Sequence, residues 1–274
     1  MSSPGEVRGV ELRVEGLWKR FGARTVLHDV TLEILSGEIV AIVGASGSGK
    51  TVLLDLMLGL LAPSAGRIFA ADHGTRGSPL VELTGASERA LDHVRRHWAV
   101  VFQRNALFSG TVLENIAILL REHTSMTEAE IEARARESLA ACALDVSDVL
   151  HKDRDELSGG MAKRVAIARA VAMDPAVIFY DEPTTGLDPI VSGHIHELVW
   201  RTHQRARAGG ERRTTVIVTH DKELLRRLSP RVVMLHDAGV CHDGPYASFG
   251  AGGSGPAADY LREMPILHGR PTPA

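Results

Sequence analysis

At 274 residues, with 44% hydrophobic and 24% charged residues, the chain is long enough for one large domain or two small ones around a substantial core. Its formal net charge of −3 gives no general attraction to nucleic acid or to an anionic membrane surface. Two widely separated cysteines, Cys142 and Cys241, exclude a disulfide framework and a C-x-x-C zinc site, and they fit a reducing compartment. Met1 to Val10 lacks the apolar core of a signal peptide. The most apolar run, Val52 to Ala62, is too short to span a membrane and carries Asp55, so a soluble cytoplasmic chain is expected. Arg205, Arg207, Arg212 and Arg213, around Gly209 and Gly210, read as a solvated basic loop.

Val10 to Leu17 alternates apolar and polar residues, as a half-exposed strand does. Phe21-Gly22 breaks the pattern. Val26-Leu27 and Thr31 to Ile34 read as further short strands before a turn at Ser36-Gly37, which makes an antiparallel β lead-in. Ile39 to Val43 suits a strand buried on both faces, and Val52 to Leu58 is rich in helix formers. Pro63, Ser64 and Gly66 stop that helix. Arg67 to Phe69 predicts a strand, His73 to Ser78 a polar loop, Glu88 to His97 a helix, and Ala99 to Phe102 a buried strand ending on Gln103.

A helical subdomain is expected over about 108–160, with capping-box spacing at Thr111/Glu114 and Thr127/Glu130. Gly159-Gly160 breaks it, and Met161 to Met173 is helical again. Ala176 to Tyr180 is a second continuous apolar strand. Asp188-Pro189 combines an N-cap with proline at the first helical position and opens a helix toward Arg207. Thr214 to Thr219 and Val232 to Leu235 read as strands around a helix at Lys222 to Leu228, and Asp237 to Gly239 turns the chain back onto Val240 to His242. The tail, 245–274, is rich in Gly, Pro and Ala, with a short helix expected at Ala257 to Met264 and docking on a partner as a candidate role. This alternation predicts an α/β fold, a parallel sheet covered by helices, with ligands beyond the carboxyl ends of its strands.

Between the Ile39–Val43 strand and the next helix lies Gly44-Ala45-Ser46-Gly47-Ser48-Gly49-Lys50-Thr51, a G-x-x-x-x-G-K-T loop in the strand–loop–helix setting that a P-loop needs. Its amides and the helix N-terminus would cradle phosphates, Lys50 would reach the β- and γ-phosphates, and Thr51 would hold Mg²⁺. A glycine-rich turn before a helix is the plain alternative. Val177 to Tyr180 ends on Asp181-Glu182, a Walker B arrangement in which Asp181 would bind Mg²⁺ and Glu182 would polarise the attacking water. Two acids after a strand could equally cap a helix, and it is the P-loop that favours the catalytic reading. A metal site among the histidines is rejected: His194 and His196 point in different directions, and His93 and His97 have no third ligand.

Leu157-Ser158-Gly159-Gly160-Met161 stands before a helix upstream of Asp181, Gln103 precedes the helical segment, and His220 ends the strand after Walker B. With Leu187-Asp188, these motifs resemble the ATP-binding cassette superfamily in content and order, over nearly all of 10–244. That resemblance implies a P-loop NTPase fold, with a RecA-like parallel core, an antiparallel lead-in and an inserted helical subdomain. It implies ATP and Mg²⁺ as cofactors, Glu182, His220, Gln103 and Lys50 as catalytic residues, and Thr51, Gln103 and Asp181 around the metal. Nucleotide contacts would come from Phe21, Gly44 to Thr51, Val52, Ser158, Gly159, Gly160 and Asp188. Ser158 and the two glycine amides at a helix start would form a second anion site, with a plain Ser-capped helix as the alternative, and the resemblance implies a head-to-tail homodimer with ATP between one chain's P-loop and the other's signature turn. Phe21 stands where the family usually stacks a tyrosine on adenine; a core role is its alternative. Val52 replaces a hydroxyl often present there, which would weaken nucleotide binding.

Gln103 to Phe108, Leu119 to Thr124 and Leu157 to Ile190, with Met161 where many cassettes carry Gln, look like the ATPase of Mla/MCE-type lipid transport systems. The segment from Gly66 to Trp98 is longer than in that group. The resemblance implies phospholipid transport across the bacterial envelope by a peripheral subunit on the cytoplasmic face of the inner membrane. Its partners would be an integral membrane permease, an MCE substrate-binding protein and in some systems a STAS-domain protein, with no nucleic acid. A polar amino-acid importer and a soluble non-transport cassette are the alternatives. A translation factor would carry two cassettes, a chromosome ATPase a long coiled coil, and a P-loop kinase would lack the signature and His220. A subunit without turnover remains open because of Val52.

Overall fold

A computed structural model of the chain describes residues 9–264. The tail beyond 264 and the first eight residues, including most of the Met1–Val10 segment, lie outside the described residues. Two sheets carry the fold. The first is antiparallel, in the order β2-β1-β4-β5, built from β1 (Val10–Phe21), β2 (Arg24–Leu35), β4 (Ala65–Ala71) and β5 (Leu80–Glu82). The lead-in is thus one long hairpin closed by Gly22 and Ala23, where the residue pattern suggests three short strands. The cause is a pair of register shifts, between Val14 and Leu17 at Gly16 and between Leu17 and Lys19 opposite Asp29. Gly16 and Asp29 have φ of 54° and 49°. Each bulge inserts a residue and breaks the period-two alternation.

The second sheet has the order β10-β9-β3-β8-β7-β6. Its strands are β3 (Ile39–Val43), β6 (Trp98–Val101), β7 (Val177–Asp181), β8 (Thr214–Val218), β9 (Arg231–His236) and β10 (Gly239–Pro245). All pairs are parallel except β9–β10, which forms an antiparallel edge. The central strands are buried on both faces, as a parallel sheet covered on both sides requires. One face packs against the antiparallel sheet and α1 (Lys50–Met57), in a core that includes Leu12, Ile34, Leu53, Phe179 and Val216. The other packs Ile178, Tyr180 and Ile217 against the helical half of the molecule.

That half contains α3 (Val112–His123), α4 (Glu128–Ala141), α5 (Val146–Val149), α6 (Gly159–Ala172), α7 (Pro189–Gln204) and α8 (Lys222–Leu228), and α2 (Glu88–Arg95) lies beside β6. Both expected capping boxes form, with Thr111 and Thr127 accepting from the third helical amide while Glu114 and Glu130 reach back. Gly159 and Gly160 begin α6 instead of breaking the chain ahead of it, because Ser158 caps the helix there. α7 stops at Gln204, short of Arg207. A short helix at the C-terminal end of the described chain, α9 (Pro256–Glu263), packs against the parallel sheet in a cluster with Val43 of β3, Met234 of β9 and Phe249.

Candidate functional site

The parallel strands deliver the predicted residues to one edge. β3 runs into the P-loop, β6 into Gln103, β7 into Asp181-Glu182 and β8 into His220. The P-loop requires its glycines. Gly44, Gly47 and Gly49 have φ of 150°, 79° and 98°. A Cβ on Gly44 would sit 2.5 Å from the Leu235 carbonyl oxygen and 2.6 Å from Ser48 Oγ. Ala45, Ser46 and Gly47 are exposed, Gly44 and Gly49 are buried, and Thr51 stands exposed at the start of α1. Ser48 Oγ is buried without a hydrogen-bond partner. Lys50 Nζ donates to the carbonyls of Gly44 (2.7 Å) and Ala45 (3.0 Å). Burial lowers its pKa, opposed by the nearby Glu182 and Asp181 carboxylates. Lys50 thus lies folded back on its own loop within electrostatic reach of both acids, from which a phosphate could draw it.

Asp181 is 8% exposed, and burial raises its pKa, as do Glu182 and Asp55. Its Oδ1 is buried with no hydrogen-bond partner. An orphaned carboxylate oxygen among acids, with the Thr51 hydroxyl on the same edge, fits a hard divalent cation such as Mg²⁺. When bound, that ion would neutralise phosphate charge.

Glu182 has φ of 47°, a left-handed conformation that disfavours any side chain bearing a Cβ. It is fixed by its amide, which donates to the Val218 carbonyl at 2.8 Å, extending the β7–β8 pairing past the strand end. Its Oε2 meets His220 Nδ1 at 2.7 Å and accepts from Thr185 Oγ1 at 3.3 Å. The carboxylate hydrogen bond raises the His220 pKa above its ordinary 6.5. The native state therefore holds this proton more tightly than the unfolded chain. The stabilisation is complete below 6.5 and disappears as pH rises through the raised value. In nucleotide-free protein, the His220 ring followed by NMR is expected to titrate above 6.5 and to move toward that value in Glu182→Gln. An unchanged midpoint in the variant would mean the pair does not form in solution.

Ser158 accepts from the Met161 amide at 3.3 Å and, with Gly159, is exposed at the start of α6. A Cβ on Gly160 would meet Val191 Cγ1 at 2.6 Å, so a glycine lets α6 approach α7 closely. Asp188 Oδ1 caps α7 through the Ile190 and Val191 amides, both at 3.0 Å. Phe21 is 49% exposed, with Lys19 Nζ 4.9 Å from its ring centre. Its core alternative therefore falls away, and an open aromatic face remains. Val52 is half-buried and packs on the core beneath the P-loop. Gln103 is exposed.

Sequence reasoning missed one residue that anchors this edge. Lys163, 2% exposed in α6, donates through Nζ to the carbonyls of Phe102 (3.0 Å) and Gln103 (2.8 Å). Burial pushes its pKa down to about 8, against the pull of Asp181. It ties the helix that follows the signature turn to the segment carrying Gln103. Its sequence gives little signal, because α6 also carries the basic residues Arg164 and Arg169.

A glycine cradle with its lysine, a Walker B acid pair and a histidine on the neighbouring strand define a P-loop ATPase of cassette type. The chain belongs to the ABC transporter family, whose profile matches residues 27–185. It is 39% identical to the "Histidine transport ATP-binding protein HisP" of Pseudomonas aeruginosa, over 92% of this chain and 96% of that one. It is 36% identical to the "Probable ribonucleotide transport ATP-binding protein mkl" of Mycobacterium tuberculosis, covering 89% of this chain and 64% of the relative. The "Protein TRIGALACTOSYLDIACYLGLYCEROL 3, chloroplastic" of Arabidopsis thaliana matches at 34%, over 86% and 68%. Among solved structures, the dimeric post-hydrolysis state of the ATP-binding cassette MJ0796 bound to ADP and Pi superimposes with a TM-score of 0.72 at 30% identity, covering 86% of this chain and 98% of that one. The chain is thus an ATP-binding, ATP-hydrolysing subunit of an ABC transporter. No helix among the described residues is long and apolar enough to cross a membrane.

Proposed function

We propose that the chain is the ATPase of a lipid transporter and works as a homodimer against an integral membrane permease, as a peripheral subunit on the cytoplasmic face of the inner membrane. The observation that carries the dimer is the pairing of two phosphate sites, the P-loop and the exposed Ser158–Gly159 turn at the start of α6. Each ATP would lie between one chain's Gly44–Thr51 loop, with Phe21 against its adenine, and the partner's signature turn and Asp188. Ile190, 73% exposed beside Asp188, is an apolar residue that such an interface would cover. Lys50 would leave its own loop for the β- and γ-phosphates, and Thr51, Asp181 and Gln103 would surround Mg²⁺. His220 would turn from Glu182 to the γ-phosphate, which frees the Glu182 carboxylate to polarise water. ATP shifts the population toward the closed dimer only by its preference for that state, and a move from mostly open to mostly closed needs about 5.5 kcal/mol. Exposed Phe102, Phe108 and Ile118, near Gln103 and on α3, are suited to receive the permease.

The lipid reading is supported by Gln103 to Phe108 and Met161, which resemble Mla/MCE-type ATPases, and by a relative named for a glycolipid. An MCE substrate-binding protein and a STAS-domain protein would complete the assembly. The relative named for histidine transport favours an amino-acid importer as second reading. Purification of the tagged chain from solubilised host membranes distinguishes them. A permease with an MCE-domain protein is expected, and a permease with an amino-acid-binding protein would overturn the lipid assignment.

A further inference from the structure

We propose that α9 is a built-in support for nucleotide binding and that Tyr260 is a positioning residue of the P-loop. This rests on the ATP-binding role of the loop and adds a part that lies outside the cassette motifs, more than two hundred residues along the chain. Tyr260 Oη donates to the Gly44 carbonyl at 3.1 Å, the same oxygen that accepts from Lys50 Nζ at 2.7 Å. Burial raises the Tyr260 pKa above its usual value, so at neutral pH the phenol keeps the proton it donates.

The helix is held in place independently of that bond. Lys222 Nζ, on the first residue of α8 and two positions after His220, donates to the Leu261 carbonyl at 2.9 Å. Tyr260, Leu261 and Met264 pack with Ala41 and Val43 of β3, the strand that feeds the P-loop, and with Met234 of β9 and Phe249. One face of α9 is therefore fixed to the root of the loop and to the segment following His220.

The shared acceptor gives this contact a purpose. The Gly44 carbonyl accepts from two donors, Lys50 Nζ and Tyr260 Oη. A lysine that moves to the β- and γ-phosphates must abandon it, and an acceptor left unpaired in a buried position is costly. Gly44 itself is buried. Tyr260 keeps that oxygen satisfied, so Lys50 leaves without orphaning the loop and the carbonyl keeps the orientation that aims the following amides at the phosphates. Loss of the hydroxyl shifts the balance toward the folded-back lysine and weakens ATP binding, with the chemical step untouched.

Tyr260→Phe in the full-length chain tests this, because it keeps the ring that packs on β3 and removes only the donor. The expected result is a rise of about fivefold in the Kd for ATP, measured with a fluorescent ATP analogue, the worth of one ordinary hydrogen bond. Turnover at saturating ATP should stay within about twofold of wild type, and the KM should carry the change. The Tm without nucleotide should fall by no more than about 2–4 °C, because Lys50 still satisfies the Gly44 carbonyl. An unaltered Kd overturns the proposal, and so does a rise in Kd accompanied by a much larger fall in that Tm. A wild-type chain that fails to bind ATP would instead overturn the function of the loop itself.

Discussion

Glu182→Gln is expected to bind ATP as the wild type does, to lose turnover by about 10²–10⁴-fold, and to accumulate as an ATP-bound dimer. The substitution keeps size and shape and removes only basicity. The backbone at Glu182 is set by its amide bond to Val218, which glutamine preserves, and Thr185 Oγ1 retains an oxygen to donate to. Neither Lys50 nor the glycine loop depends on this side chain for a hydrogen bond. Binding and hydrolysis should therefore separate cleanly, as they must if Glu182 acts only on the attacking water. Steady-state ATPase rates, ATP titration and light scattering with and without ATP measure all three quantities. Normal turnover would remove Glu182 from the chemistry.

The second large effect is expected at Ser158. Ser158→Arg should lower turnover at least about a hundredfold while the monomer's affinity for ATP is nearly unchanged, because the side chain lies in the signature turn and not in the P-loop. The folding cost is bounded by the structure. Ser158 is exposed and makes one capping bond, to Met161, so its loss is worth about 1 kcal/mol. A drop in activity far beyond that cannot come from unfolding. Full activity in Ser158→Arg would show that the turn does not face nucleotide.

Much of this arrangement is legible in the residues, and the exceptions have physical causes. The P-loop, Asp181-Glu182 and His220 follow apolar strands, and strands that run parallel bring their carboxyl ends to one edge whatever their separation in the chain. The helix starts at Thr111, Thr127 and Asp188 are equally clear, because a cap is a local interaction over three residues. The β1–β2 hairpin is not, since Gly16 and Asp29 hold bulges that disturb the alternation. β5 is three residues long and exists only by pairing with β4, so it leaves no periodic trace. The bond of Lys163 to the carbonyls of Phe102 and Gln103, and that of Tyr260 to the carbonyl of Gly44, link a side chain to a distant backbone oxygen. Such contacts carry no residue code on the acceptor side and only tertiary structure discloses them. The Glu182–His220 pair lies between the two: both residues are foreseeable, and their contact is not.

Each nucleotide site is built from two chains in this mechanism, and complementation in trans tests that sharing most directly. Lys50→Ala spoils the P-loop and leaves the signature turn; Ser158→Arg does the reverse. Alone, each variant forms dimers in which both sites are damaged, and each should be inactive. Mixed in equal amounts with ATP, half of the dimers carry one of each, and each of these holds one intact site, so roughly a quarter of the wild-type ATPase rate should return. A mixture as inactive as its components, or full activity in either variant alone, would contradict the shared site.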